Sequence, residues 1–186
     1  MSEASSFPPS AVRDIVAEVA TLLKERKESI SVAETVWTPS GIVDPTAAGG
    51  IISAALLSTP GASGFYKGGL TLYTLESRIA FAGWTQESIT NYKGPTPDIV
   101  AGLADNVRKT LNSTYTVAES GTAGPTGGQT RNRTPGYVAL AVSSEGGTVT
   151  REVETGLGGD REANMVRFAV EALTLVRDVI KGDAKL

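Results

Sequence analysis

Apolar residues near the start of the chain recur with a helical period. Val12, Ile15, Val16, Val19, Leu22 and Leu23 follow the i, i+3, i+4, i+7 spacing that lines one helix face. Ser10 can cap this segment, which the pattern carries to about Lys27. The period then changes: Ile30 to Ala33 is a short β-branched run, and Gly49 to Leu57 is a small-residue apolar segment suited to a helix packed closely on a sheet. Pro60 and Gly61 stop it. Gly69 to Tyr73 reads as a strand and Leu75 to Ala82 as a helical segment. Pro97 to Leu111 reads as a helix with Ile99, Val100, Leu103 and Val107 on one face. Tyr115 to Ala118 has the composition of a short buried strand. Tyr137 to Val142 and Thr148 to Glu154 flank the turn Ser143-Ser144-Glu145-Gly146-Gly147, which predicts an antiparallel pair at the end of a sheet. A closing helix covers Arg161 to Ile180, with Val166, Ala169, Val170, Leu173 and Val176 as its buried face. Helices alternate with strands for most of the length. This predicts an α/β fold, a three-layer α/β/α sandwich around a mixed, mostly parallel sheet.

Composition narrows the chemistry. The 186 residues, 40% hydrophobic and 20% charged, suit one domain over 1–186 with a sizeable core. With 17 basic against 20 acidic residues, nothing favours broad binding to nucleic acid or an anionic membrane, so a small polar ligand is the default partner. The chain has neither cysteine nor histidine, which removes thiol catalysis, disulfides, the commonest general base and the commonest zinc ligand. No cofactor is expected, and catalysis must use hydroxyls, amines, guanidinium groups or carboxylates. No apolar stretch approaches the roughly 20 residues that span a bilayer, and Met1 to Ser10 lacks a signal-peptide core. The expected location is the cytoplasm. The terminal Ala184-Lys185-Leu186 offers a weak peroxisomal alternative if the source is eukaryotic.

The densest motif is Ser120-Gly121-Thr122-Ala123-Gly124-Pro125-Thr126-Gly127-Gly128, which directly follows the Tyr115 to Ala118 run. Its glycines permit turns in which main-chain N–H groups converge on an anion or a carbonyl oxygen. A Gly/Pro loop taken alone is more often just a turn, and neither GxxxxGK[ST] nor a helix-opening GxGxxG is present.

Taken with its neighbours in order, this loop resembles the C-terminal domain of the CinA competence/damage-inducible proteins. The resemblance spans roughly residues 13 to 180. It rests on Ala33-Glu34, the run from Gly49-Gly50 to Leu57, Pro60-Gly61-Ala62-Ser63, Gly68-Gly69, Tyr73, the Ser120–Gly128 loop, Pro135-Gly136 and Gly159-Asp160-Arg161. The stand-alone bacterial members of that family are nicotinamide mononucleotide amidohydrolases. The resemblance therefore implies hydrolysis of a carboxamide by a hydroxyl nucleophile, with lysine as base and a tyrosine beside them. It implies that Ser120, Gly121, Thr122 and Gly124 hold the ribose-phosphate or the oxyanion, with Glu34, Gly49 and Gly50 nearby and Arg161 on the substrate's phosphate. Self-association into a homo-oligomer is the general habit of such folds.

Two departures matter. Between Glu34 and Gly49-Gly50 the family has three residues, Ser-x-Thr, whereas Thr35 to Ala48 supplies fourteen, an insertion of eleven. Aligned from the left the nucleophile is Thr35; aligned from the right it is Thr46. The insertion, with Trp37, Thr38, Pro39 and Ser40, reads equally as a lid over the pocket or as its filling. The second departure is Arg78, which stands where the family has lysine, five residues after Tyr73. A guanidinium is a permanent cation and removes no proton from a hydroxyl, though it binds phosphate or carboxylate well. Lys67 and Lys93 read as solvated loop lysines, and Glu34 is either a base beside a threonine or a cap on the next segment. The sequence thus supports an amidohydrolase acting on a pyridine nucleotide or related amide, a non-catalytic nucleotide-binding module with the same pocket, or, third, an oligomeric scaffold.

Overall fold

The computed structural model describes residues 7–36, 47–90 and 92–184. In chain order the elements are α1 (Ser10–Arg26), β1 (Ile30–Val36), α2 (Ile51–Leu57), β2 (Tyr66–Leu72), α3 (Leu75–Phe81), α4 (Gln86–Thr90), α5 (Pro97–Leu111), β3 (Tyr115–Thr122), β4 (Tyr137–Ser144), β5 (Gly147–Glu154) and α6 (Arg161–Lys181). The five strands form one sheet in the order β2-β1-β3-β4-β5. The pairings β1–β2 and β1–β3 are parallel, and β3–β4 and β4–β5 are antiparallel. The sheet is mixed, with both kinds of pairing in equal number.

Local chemistry sets the element ends. Ser10 lies inside the first turn of α1 rather than capping it, because Pro9 occupies the cap position. Lys27 ends the helix in the left-handed conformation, its N–H reaching the Leu23 and Lys24 carbonyls. Helix α5 starts where Thr96 accepts the Ile99 N–H and Pro97 takes the first turn, where its missing N–H is not needed. Thr74 and Ser77 cap α3 reciprocally.

Both faces of the sheet are covered. On one side α1, α2 and α6 bury Val19, Leu23, Ile52, Phe168, Leu173 and Val176 against Ile30, Val32, Val117 and Val138. On the other, α5 buries Val100, Leu103 and Val107 against Ala33, Ala118, Ala139 and Ala141, with Leu72 and Ala82 completing that core. Of the residues expected to form the buried face of α6, Ala169, Leu173 and Val176 are buried. Val166 and Val170 are only partly covered.

The connections place the site. From β1 the chain crosses to β2 with α2 on the first face; from β2 it passes back over β1 to β3 with α5 on the opposite face. The C-terminal ends of β1 and β3 therefore lie side by side where the two connections diverge, the position at which open α/β sheets bind ligands.

Candidate active site

Strand β3 continues through Thr122, so Ser120, Gly121 and Thr122 are strand residues and the glycine loop proper starts at Ala123. The strand assignment changes what those residues offer, since side chains now alternate across the sheet. Ala33 and Ala118 belong to the α5-side core, so Thr35, Ser120 and Thr122 face that side as well. Thr35 and Ser120 are direct register partners. All three are fully buried, and the Ser120 and Thr122 hydroxyls have no hydrogen-bond partner among the described residues. The Thr35 hydroxyl donates to the Glu119 carbonyl oxygen at 3.4 Å. Buried hydroxyls are ordinarily satisfied, so two without a partner among the described residues, at the ends of parallel strands, make this a candidate site. Gly121 faces the other way. A Cβ there would meet the Tyr137 carbonyl oxygen at 2.8 Å and Phe168 at 3.0 Å, so α6 and β4 leave room only for hydrogen.

Glu34 and Glu119 are also register partners, one residue earlier, on the α2/α6 face. Their carboxyls are fully buried, and among the described residues no ion pair reaches either. Glu34 accepts from the Ile52 N–H at 3.3 Å and the Thr71 hydroxyl at 3.0 Å, and the Gly50 N–H also serves it. Glu119 accepts from the Ala48 N–H at 2.6 Å through one oxygen, while the other has no partner among the described residues. Burial pushes Glu34 up to about 7 against these hydrogen bonds. Burial and the Glu34 charge push Glu119 well above the ordinary carboxyl range, with the Ala48 N–H opposing. The alternation of β1 separates Glu34 from the Thr35 hydroxyl, so it is not a base for that residue. It caps the turn into α2, and together the two carboxyls fasten residues 48–52 to the sheet.

The other sequence-derived candidates fall as follows. Gly49 and Gly50 take φ of 66° and 95° in the turn before α2, conformations that resist a side chain. Tyr73 is half-buried just beyond β2, next to Leu72, the register partner of Thr35. Lys67 and Lys93 are exposed, Lys67 within β2 itself. Thr46 and the insertion residues Trp37 to Ser40 lie outside the described residues. Arg161 opens α6, and its Nη1 donates to the Gly124 carbonyl at 2.8 Å, shaping the glycine loop directly. Asn164, on the same face one turn later, donates to the Ala123 and Gly158 carbonyls at 2.8 Å each.

Arg78 is fully buried in α3. Its guanidinium lies against Trp84 at 5.0 Å and Tyr92 at 4.8 Å, the two rings meeting edge to face. Its Nε and Nη1 have no hydrogen-bond partner among the described residues. Among those residues no group of three or more acidic, histidine or cysteine side chains could hold a metal, and no helix is long and apolar enough to cross a membrane.

The sequence profile of the CinA C-terminal domain matches residues 12–180. The chain belongs to the CinA C-terminal domain family. A CinA-like protein of Fervidobacterium nodosum is 33% identical over 129 residues, 69% of this chain and 31% of the relative. Another from Shewanella amazonensis is 30% identical over 169 residues, covering 90% and 36%. The chain thus spans about a third of the length of the curated relatives it matches. Among solved structures, the competence/damage inducible protein CihA from Agrobacterium tumefaciens superposes with a TM-score of 0.80 at 22% identity, covering 95% of this chain and 99% of that one. A CinA superfamily protein from Klebsiella pneumoniae gives 0.79 at 20%, covering 92% and 98%. These structural neighbours carry the α/β fold, a five-strand mixed sheet flanked by helices. The residues around the candidate site that the sequence did not single out are Glu119, Asn164, Trp84 and Tyr92. Only Asn164 left a usable signal, its spacing of three from Arg161 on one helix face.

Proposed function

We propose that this chain is a CinA-type amidohydrolase that cleaves the carboxamide of nicotinamide mononucleotide or a related small amide, with Thr35 as nucleophile. The observation that carries this reading is the buried hydroxyl trio of Thr35, Ser120 and Thr122 at the C-terminal ends of β1 and β3, two of its members without partners among the described residues. In the reaction the Thr35 oxygen bonds to the amide carbon and the C–N bond breaks. The hydroxyl proton leaves with the amine as ammonia. Water then cleaves the resulting ester, restoring Thr35 and giving the acid. Ser120 and Thr122 donate to the oxygen that gains charge at each tetrahedral stage, where a donor fixed in advance is worth most. Arg161, through Gly124, holds the loop that closes the nucleotide end of the pocket.

A second reading is a non-catalytic module that binds the same nucleotide. It is favoured by the Thr35 hydroxyl, whose hydrogen bond goes to a main-chain carbonyl and to no described base. It is favoured also by Arg78, a permanent cation at the position of the family lysine. Ammonia release from nicotinamide mononucleotide, measured beside calorimetric binding of the same compound, separates the two. Release above the spontaneous rate supports the hydrolase; binding without release supports the module; neither overturns both.

A further inference from the structure

Arg78 is unusual for a cation. Its side chain is wholly buried, and the described residues place no carboxylate against it. Among the described residues the buried carboxyls are Glu34 and Glu119, and both project from the opposite face of the sheet. Its Cζ lies 5.0 Å from the Trp84 ring and 4.8 Å from the Tyr92 ring, within cation–π range of both. A guanidinium bonds anions through its N–H groups, and here Nε and Nη1, one on each of its two forks, have no partner among the described residues. Burying a charge without a counter-charge is strongly unfavourable, and the described residues supply none. Helix α3 follows β2 directly and packs on the α5 side, with Leu72 and Ala82 in that core. The guanidinium and the free hydroxyls of Ser120 and Thr122 therefore belong to one layer of the fold.

We propose that Arg78 is an oxyanion-binding residue of the pocket: its unsatisfied N–H groups, beside Trp84 and Tyr92, receive a phosphate or carboxylate group of the ligand. This rests on reading the hydroxyl-bearing face as the ligand site. It assigns the ligand an anionic group that meets the protein at α3, apart from any contact at Arg161. The flat fork suits a carboxylate or two phosphoryl oxygens, and lysine, a point charge, would not reproduce it.

Trp84 is a built-in reporter. With Trp37 replaced by phenylalanine it is the sole tryptophan, and its emission is followed while inorganic phosphate or nicotinate is added at constant ionic strength. A saturable change is expected with at least one of them, weakened at least tenfold in Arg78→Met and retained in Thr35→Ala. Response to phosphate alone assigns a phosphoryl group to this site, and response to nicotinate alone a carboxylate. If circular dichroism shows Arg78→Met unfolded, Arg78→Gln replaces it. No saturable response in the parent protein, or equal affinity in the Arg78 variant, overturns the assignment. The assay is independent of turnover: anion binding without ammonia release removes only the hydrolase reading, and release without anion binding removes only this one.

Discussion

Glu119→Gln should make this protein more stable at pH 8 and leave it nearly unchanged at pH 4. Glu34 and Glu119 stand opposite each other on neighbouring strands, whose axes lie about 4.8 Å apart. Two full charges at about 5 Å repel by about 3 kcal/mol at an effective dielectric constant near 20. The rise of Glu34 from the ordinary 4.5 to about 7, caused mainly by burial, corresponds to about 3 kcal/mol as well. Both carboxyls titrate higher in the folded protein than in the unfolded chain, so the native state binds more protons. Stability from this pair is therefore greatest below the unfolded value near 4.5 and declines as pH rises through about 7, continuing while Glu119 ionises. Glutamine keeps the oxygen that accepts the Ala48 N–H, and its amide group can occupy the place of the unpartnered Glu119 oxygen. The variant should gain about 1–3 kcal/mol at pH 8, or about 4–8 °C in Tm for a gain near 2 kcal/mol. At pH 4, where the pair is largely protonated in both folded and unfolded states, the difference should fall below about 0.5 kcal/mol. Urea denaturation of both proteins at half-unit intervals from pH 4 to 9 reads this directly. A stability difference independent of pH, or a less stable variant at pH 8, would refute the shared burial of the two carboxyls.

Three further outcomes follow from the packing. Gly121→Ala drives a methyl group into the Tyr137 carbonyl and Phe168, and a loss of about 1–3 kcal/mol in urea denaturation is expected; a neutral result would mean β3 and α6 lie farther apart. Leu173→Ala, fully buried between α6 and the sheet, should cost about 2–5 kcal/mol by the same method, and a loss below that range would contradict its place in the core. Arg161→Ala should weaken binding of nicotinamide mononucleotide by about 1.5–3 kcal/mol in calorimetry if its guanidinium makes a charge-assisted contact. Unchanged affinity would remove Arg161 from the site.

The long amphipathic elements were legible because their burial is one-sided. Helix α5 runs from Pro97 to Leu111, as the spacing of Ile99, Val100, Leu103 and Val107 and the punctuation at Thr96-Pro97 indicate. Helix α4 buries nothing, so it left no period to read. Strand β3 was cut short at Ala118 because Glu119, Ser120 and Thr122 are polar yet buried. Polarity there reflects the site rather than solvent, and pattern reading takes it for a loop. The glycine motif was visible as a motif, while its division between strand and loop was not. Glu119 escaped notice because its meaning depends on the parallel register with Glu34, 85 residues away in the chain. The cage around Arg78 depends likewise on where Trp84 and Tyr92 fold back, and no local spacing encodes that.

The most direct test of the account is ammonia release from nicotinamide mononucleotide by the wild-type protein, Thr35→Ala and Thr46→Ala, each verified as folded. The account predicts release by the wild type and by Thr46→Ala, and its loss in Thr35→Ala. Release that survives in Thr35→Ala would contradict it.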